Sequence, residues 1–123
     1  MTCIVSVVQD KVVYMAADSA AVSGVDLQLR ADQKVFRRGP FLIGFTTSFR
    51  MGQILRYHLE VPARPKEMTV RRYMSTTFLD RVRDCLKAGG WAARNNEREE
   101  GGAFIVGYRG RLFRVEDDYQ VAV

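Results

Sequence analysis

The sequence predicts an α+β chain in which helices pack on a largely antiparallel sheet. Three observations predict it. Short apolar runs broken by two-residue turns fill the first 45 residues, the middle of the chain switches to helical spacing, and short strand-like runs return after residue 103. Strands grouped apart from helices are the pattern of α+β architecture.

Taken in order, residues 3–9 and 12–17 are apolar runs separated by Asp10 and Lys11, a break suited to a tight hairpin. Their nearly continuous apolarity predicts strands buried on both faces. Residues 18–33 form a polar segment with Gly24 as a breaker. Residues 34–38 and 41–45 read as a second hairpin around Gly39 and Pro40. Met51, Ile54, Leu55, His58 and Leu59 then fall at helical spacing, with Ser48 as the N-cap, and Pro62 and Pro65 end that helix. Thr69 caps a second helix, whose stripe is Val70, Tyr73, Met74, Thr77, Phe78, Val82, Cys85 and Leu86; Gly89 and Gly90 stop it. After a charged loop at residues 94–100, strand-like runs cover 103–108, 112–115 and 119–123, with a turn at Arg109 and Gly110. The predicted order is four strands, two helices and three strands, in one domain spanning residues 1–123.

Composition narrows the class. Hydrophobic residues make up 47% of the chain and charged residues 27%, proportions that can form a modest core at this length. No apolar run approaches the roughly 20 residues needed to span a bilayer, and the first residues lack a basic region followed by an apolar one. Both point to the cytoplasm and away from a membrane. Cys3 and Cys85 make no disulfide framework and match no metal spacing, and are read as reduced thiols. The net charge of +5 comes from dispersed residues such as Arg37, Arg38, Arg71, Arg72, Arg81 and Lys87, without a nucleic-acid motif. A solvated surface or a subunit contact accounts for them better than nucleic acid.

Candidate chemistry starts at Thr2. Removal of Met1 would expose its α-amine, whose pKa of about 7.7–8.0 suits it to take the proton of its own hydroxyl. The threonine–amine pair is an established form of activated nucleophile. Asp18 ends one apolar strand and Lys34 begins another. Adjacent strands would let the two pair beside Thr2, where a lysine charge lowers the proton affinity of hydroxyl and amine. An ordinary strand-end ion pair reads the same two residues equally well. His58 reads as a helix-face residue.

The opening Thr2-Cys3-Ile4-Val5-Ser6-Val7 resembles the mature start of the N-terminal-nucleophile hydrolases, in particular proteasomal β subunits and their bacterial HslV-type relatives. Counting from Thr2, Asp18 is the seventeenth residue and Lys34 the thirty-third, which are the spacings of that family's catalytic Asp and Lys. Residues 34–45 look like its second hairpin, and residues 107–113 like a later one. The resemblance implies an αββα sandwich of antiparallel sheets and helices, incomplete at its C-terminal side. It also implies a threonine-type peptidase or amidase with catalytic Thr2, Asp18 and Lys34, the backbone N–H of Ser48 stabilising an oxyanion, and a substrate pocket walled by Ala21, Val22, Thr46 and Arg50. Arg50 would favour acidic substrate side chains, or serve as an ordinary surface arginine. No cofactor or metal is implied. A homo-oligomer, ring or dimer, is expected, and an ATPase partner is left open.

This sequence departs from the family pattern in two places. Thr47 and Ser48 stand where the family commonly has glycines, and the Gly-Ser-Gly-type turn, helices and returning strands that follow the later hairpin in the family are not found before Val123. With Met1 retained, Thr2 nitrogen is an amide and cannot act as base, so this 123-residue form is expected to be silent. Apolar surface on the sheet and around Phe104, Ile105 and Val106 is expected to lie uncovered. Two other readings stay open: a non-catalytic ring subunit of the same fold, and a basic nucleic-acid-binding module with steeply salt-dependent affinity.

Overall fold

The computed structural model describes residues 4–17, 20–23, 26–29, 34–45, 49–90, 93–95, 98–100, 103–116 and 121–122. The described strands are β1 (Ile4–Gln9), β2 (Val12–Ala17), β3 (Ala20–Ser23), β4 (Asp26–Leu29), β5 (Val35–Arg38), β6 (Phe41–Phe45), β7 (Ala93–Asn95), β8 (Arg98–Glu100), β9 (Phe104–Tyr108), β10 (Arg111–Val115) and β11 (Val121–Ala122). Helix α1 spans Phe49–His58, and a second helical run comprises α2 (Val70–Tyr73), a π-helical turn (Met74–Phe78) and α3 (Leu79–Ala88). The central sheet has the order β11-β10-β9-β6-β5 with every pairing antiparallel, which is the expected α+β architecture.

The alternation of side chains along a strand sorts this sheet into two faces. On one, Phe36, Phe41, Ile43, Phe45, Phe104, Val106, Tyr108, Phe113 and Val115 are buried with the helical residues Met51, Ile54, Leu55, Tyr73, Met74, Phe78, Val82 and Leu86. Most of the predicted helical stripes is therefore core; His58 is exposed, and Val70, Thr77 and Cys85 are half-buried. Aromatic rings hold its centre: Phe41 lies 4.7 Å from Phe78 and 4.9 Å from Tyr108, centroid to centroid, distances at which ring pairs attract beyond their area burial. Tyr73 buries its ring and donates its hydroxyl to the Pro62 carbonyl at 2.6 Å. Arg38 Nε donates to the Leu59 carbonyl at 2.6 Å and ties β5 to the segment leaving α1.

On the other face lies the β1–β2 hairpin, in register from Ile4↔Ala17 to Gln9↔Val12. Glycine permits the close approach. A Cβ at Gly44 would sit 2.6 Å from Met15 Sδ, and one at Gly107 would sit 2.8 Å from Val13 Cγ1. The layers are therefore helices, five-stranded sheet, hairpin.

Several expectations change. β1 and β2 are not buried on both faces: Val5 is 61% exposed, Val7 54% and Tyr14 55%, because only the inward set (Ile4, Val13, Met15) meets the sheet. Conversely, Phe104 and Val106 are buried, at 1% and 0% exposure, because they face the helices; among the described residues the exposed large apolar side chains are those of the β1–β2 hairpin and Tyr57 on α1. Residues 18–33 carry β3 and β4, paired from Ala20↔Leu29 to Ser23↔Asp26, and the charged stretch 94–100 carries β7 and β8. The second helix starts as expected, with Thr69 Oγ1 accepting from Arg72 N–H at 3.2 Å. Its π turn coincides with a Ser75-Thr76-Thr77 run in which Thr76 Oγ1 donates to the Arg72 carbonyl at 2.6 Å, a back-bond that bends helices. No helix among the described residues is long and apolar enough to cross a membrane.

Cys85, on α3, donates its thiol to the Ile54 carbonyl at 3.7 Å and thereby links the two helical runs. Burial pushes its pKa up from 9.0, with the Arg38 guanidinium pulling weakly the other way. Above pH 9 the folded thiol holds its proton more tightly than the unfolded one. The stability this contributes is complete below that pH and is lost as pH climbs through the raised folded value. Tyr73, also raised by burial, from 10.0, adds a second loss at higher pH. Cys85→Ala should therefore flatten the first part of the alkaline decline in urea-unfolding free energy, leaving the later part. An unchanged slope between pH 8.5 and about 10 would contradict it.

Candidate functional site

Several strand ends come together at one end of the layered sheets. β5 and β6 pair with Val35 opposite Gly44, and beyond that pair the N–H of Phe45 donates to the Lys34 carbonyl at 3.0 Å. Gly44 lies directly beneath the side chains of Ile4 and Met15. Ile4 in turn pairs with Ala17. Four points of the chain thus meet at this end: the start of β1, the end of β2, the start of β5 and the end of β6.

These are the described residues that border the predicted catalytic set. Ile4 follows Thr2 by two positions, Ala17 immediately precedes Asp18, and Phe45 immediately precedes Thr46. Thr2, Asp18, Thr46 and Ser48 themselves lie outside the described residues. Lys34 is described, and only 3% of it is exposed. It is the one charged residue that is buried among the described residues. Taking an ammonium out of water costs several kcal/mol unless an anion or strong acceptors meet it, so a lysine in this position requires such partners.

Ala21 and Val22 sit in β3, opposite Gln28 and Leu27 of β4. Arg50 is exposed in the first turn of α1. It lines, with Ile54, His58, Cys85, Ala88 and Gly89, a pocket of about 350 Å³ between α1 and α3. His58 is exposed at the other end of α1, as its reading as a helix-face residue requires. No group of three or more His, Cys, Asp or Glu side chains that could hold a metal ion occurs among the described residues.

Sequence reasoning missed a second feature. At the opposite end of the sheets the β1–β2, β5–β6 and β9–β10 turns surround a pocket of about 280 Å³ that contains Lys11, Arg37 and Arg109. The signal was present, since two of these residues belong to the turn dipeptides, but the cations are 26 and 72 positions apart and read as dispersed surface charge.

The fold has a counterpart among solved structures. The chain matches Thiobacillus denitrificans BPH in complex with epoxomicin with a TM-score of 0.72 and 19% sequence identity, over 99% of this chain and 67% of that one. No family model matches the sequence, and no curated protein does. The class that the fold defines is a proteasome-like α+β architecture of antiparallel sheets and helices. Within it, this chain spans about two thirds of the length of the solved relative.

Proposed function

We propose that this protein is a threonine-type N-terminal-nucleophile hydrolase, of the proteasomal β-subunit and HslV-type group, acting on peptide or amide bonds in the cytoplasm. One observation carries the proposal. A lysine is buried at the sheet end where the strands bordering Thr2 and Asp18 and the segment leading to Ser48 come together. A nucleophile whose base is its own α-amine is helped by a fixed positive charge nearby, which favours the ionised hydroxyl.

In this reading Thr2 Oγ attacks the substrate carbonyl and the Thr2 α-amine takes the hydroxyl proton. Lys34 supplies positive charge to the developing alkoxide, and Asp18 holds Lys34 in place. The N–H of Ser48 stabilises the tetrahedral oxyanion. The amine returns its proton to the leaving nitrogen, and water then cleaves the acyl ester on Thr2. Ala21, Val22, Thr46 and Arg50 shape the substrate pocket. No cofactor enters.

The protein is further proposed to act as a homo-oligomer, a ring or dimer, with residues 1–123 as one domain. The stripe from Tyr73 to Leu86 is consumed by the core. Among the described residues, the outer side of β1–β2 offers an apolar surface for contact, where Val5, Val7, Val12 and Tyr14 are exposed.

The test is a peptide and amide hydrolysis screen on two samples, one with Met1 retained and one with Met1 removed. Turnover confined to the Met1-free sample supports the reading. Equal turnover in both would remove the α-amine from the mechanism, and no turnover in either would leave a structural subunit of the same fold.

A further inference from the structure

We propose that the pocket at the turn end of the sheets is a binding site for a compact anion carrying two or more phosphate groups. It lies at the far end of the strands from Lys34, so it is independent of the hydrolase reading. Its three cations come from three separate hairpins: Lys11 from the β1–β2 turn, Arg37 from β5, and Arg109 from the β9–β10 turn. All three are exposed, and none is held in a salt bridge among the described residues. Arg109 places its guanidinium 6.0 Å from the centroid of the Tyr108 ring, a weak cation–π contact that leaves its charge in place. The three turns contain one carboxylate, Asp10, and it is not part of the lining.

Like charges gathered without counter-charges repel one another, and the fold holds them together. The β9–β10 turn packs so closely on the β1–β2 turn that a Cβ at Gly110 would lie 2.5 Å from the Lys11 carbonyl oxygen. Lys11 and Arg109 themselves occupy the left-handed region, at φ 63° and 50°, where a side chain costs about 1–2 kcal/mol that glycine would avoid. Two cations are thus carried on strained turn positions beside a third, in a cavity large enough for a small anion. Arginine forks match the paired oxygens of phosphate, and the lysine adds a point charge.

The experiment is a calorimetric titration of the protein with inorganic pyrophosphate, at constant ionic strength, with citrate as the carboxylate comparator. Saturable binding of pyrophosphate, stronger than of citrate, is expected. Replacing Arg37 and Arg109 together (Arg37→Gln, Arg109→Gln) should weaken it by at least about tenfold, since each removes charge-assisted hydrogen bonds. The pair Arg71→Gln and Arg72→Gln removes the same charge from the exposed side of α2 and should leave binding unchanged. Absence of saturable binding overturns the proposal. So does an equal loss in both double variants, which would reduce it to net charge, and so does citrate binding as tightly as pyrophosphate. Circular dichroism of each variant confirms that the comparison is between folded proteins.

Discussion

We expect Thr2→Ala to abolish hydrolysis by the Met1-free protein, and Thr2→Ser to retain part of the rate. The asymmetry follows from the chemistry. Alanine keeps the α-amine but removes the only hydroxyl attached to the same residue, so no acyl ester can form. Serine keeps both groups and loses only the methyl that restricts the side-chain rotamer. Cys3 cannot substitute, because the residue after the N-terminus lacks a free amine to serve as its base. Steady-state rates on the best substrate from the screen decide the matter, and near-normal turnover by the alanine variant would remove Thr2 from the mechanism.

The second large effect is expected at Lys34. Lys34→Ala should lower turnover by about 100- to 1000-fold, the range found when one preorganised electrostatic group is removed from an active site. Its cost in stability should be small beside that. The backbone of Lys34, which accepts the Phe45 N–H at 3.0 Å, survives the substitution, and the side chain carries a charge that is expensive to bury. Asp18→Asn should reduce both activity and stability, since it removes the counter-charge proposed for Lys34. Paired kinetics and urea unfolding separate the two. A Lys34→Ala protein with turnover within a fewfold of the parent would mean that the buried ammonium is structural.

Much of this fold was legible because the chain states its elements twice, in periodicity and in punctuation. Gly39 and Pro40 mark the β5–β6 turn, Thr69 caps the second helix, and the stripe from Val70 to Leu86 supplies its buried side. What could not be read was which face of an apolar run is covered. Val5, Val7 and Tyr14 look like core residues, yet their burial depends on whether anything packs on the outer side of the hairpin, a tertiary matter. The β3–β4 hairpin escaped because its strands are only four residues long: β3 does not alternate, and the alternation of Asp26, Leu27, Gln28 and Leu29 in β4 is too short to stand out from a polar segment. The π turn escaped because helical periodicity does not register a one-residue widening of a turn; it coincides with a side-chain back-bond from Thr76 to the Arg72 carbonyl.

The candidate site was read in a different way. Nothing local distinguishes Lys34 from a strand-end lysine on a surface, which is its commonest role. Spacing from Thr2 and Asp18, read through the family resemblance, singled it out, and its burial is what gives that choice physical weight. The basic pocket at the other end illustrates the converse. Lys11, Arg37 and Arg109 are brought together by strand order in the central sheet and by the packing of the β1–β2 hairpin on its face, and no one-dimensional pattern links them.

The central claim is that Thr2 acts with its own amine, and covalent labelling tests it most directly. A peptide epoxyketone needs a hydroxyl to add to its ketone and a neighbouring amine to open its epoxide. Mass spectrometry of the Met1-free protein after exposure to this reagent should show one adduct, located on the N-terminal peptide at Thr2, and none on the Met1-retaining protein or on Thr2→Ala. An unmodified Thr2 in a Met1-free sample that hydrolyses substrate, or an adduct that persists with Met1 in place, would contradict the account.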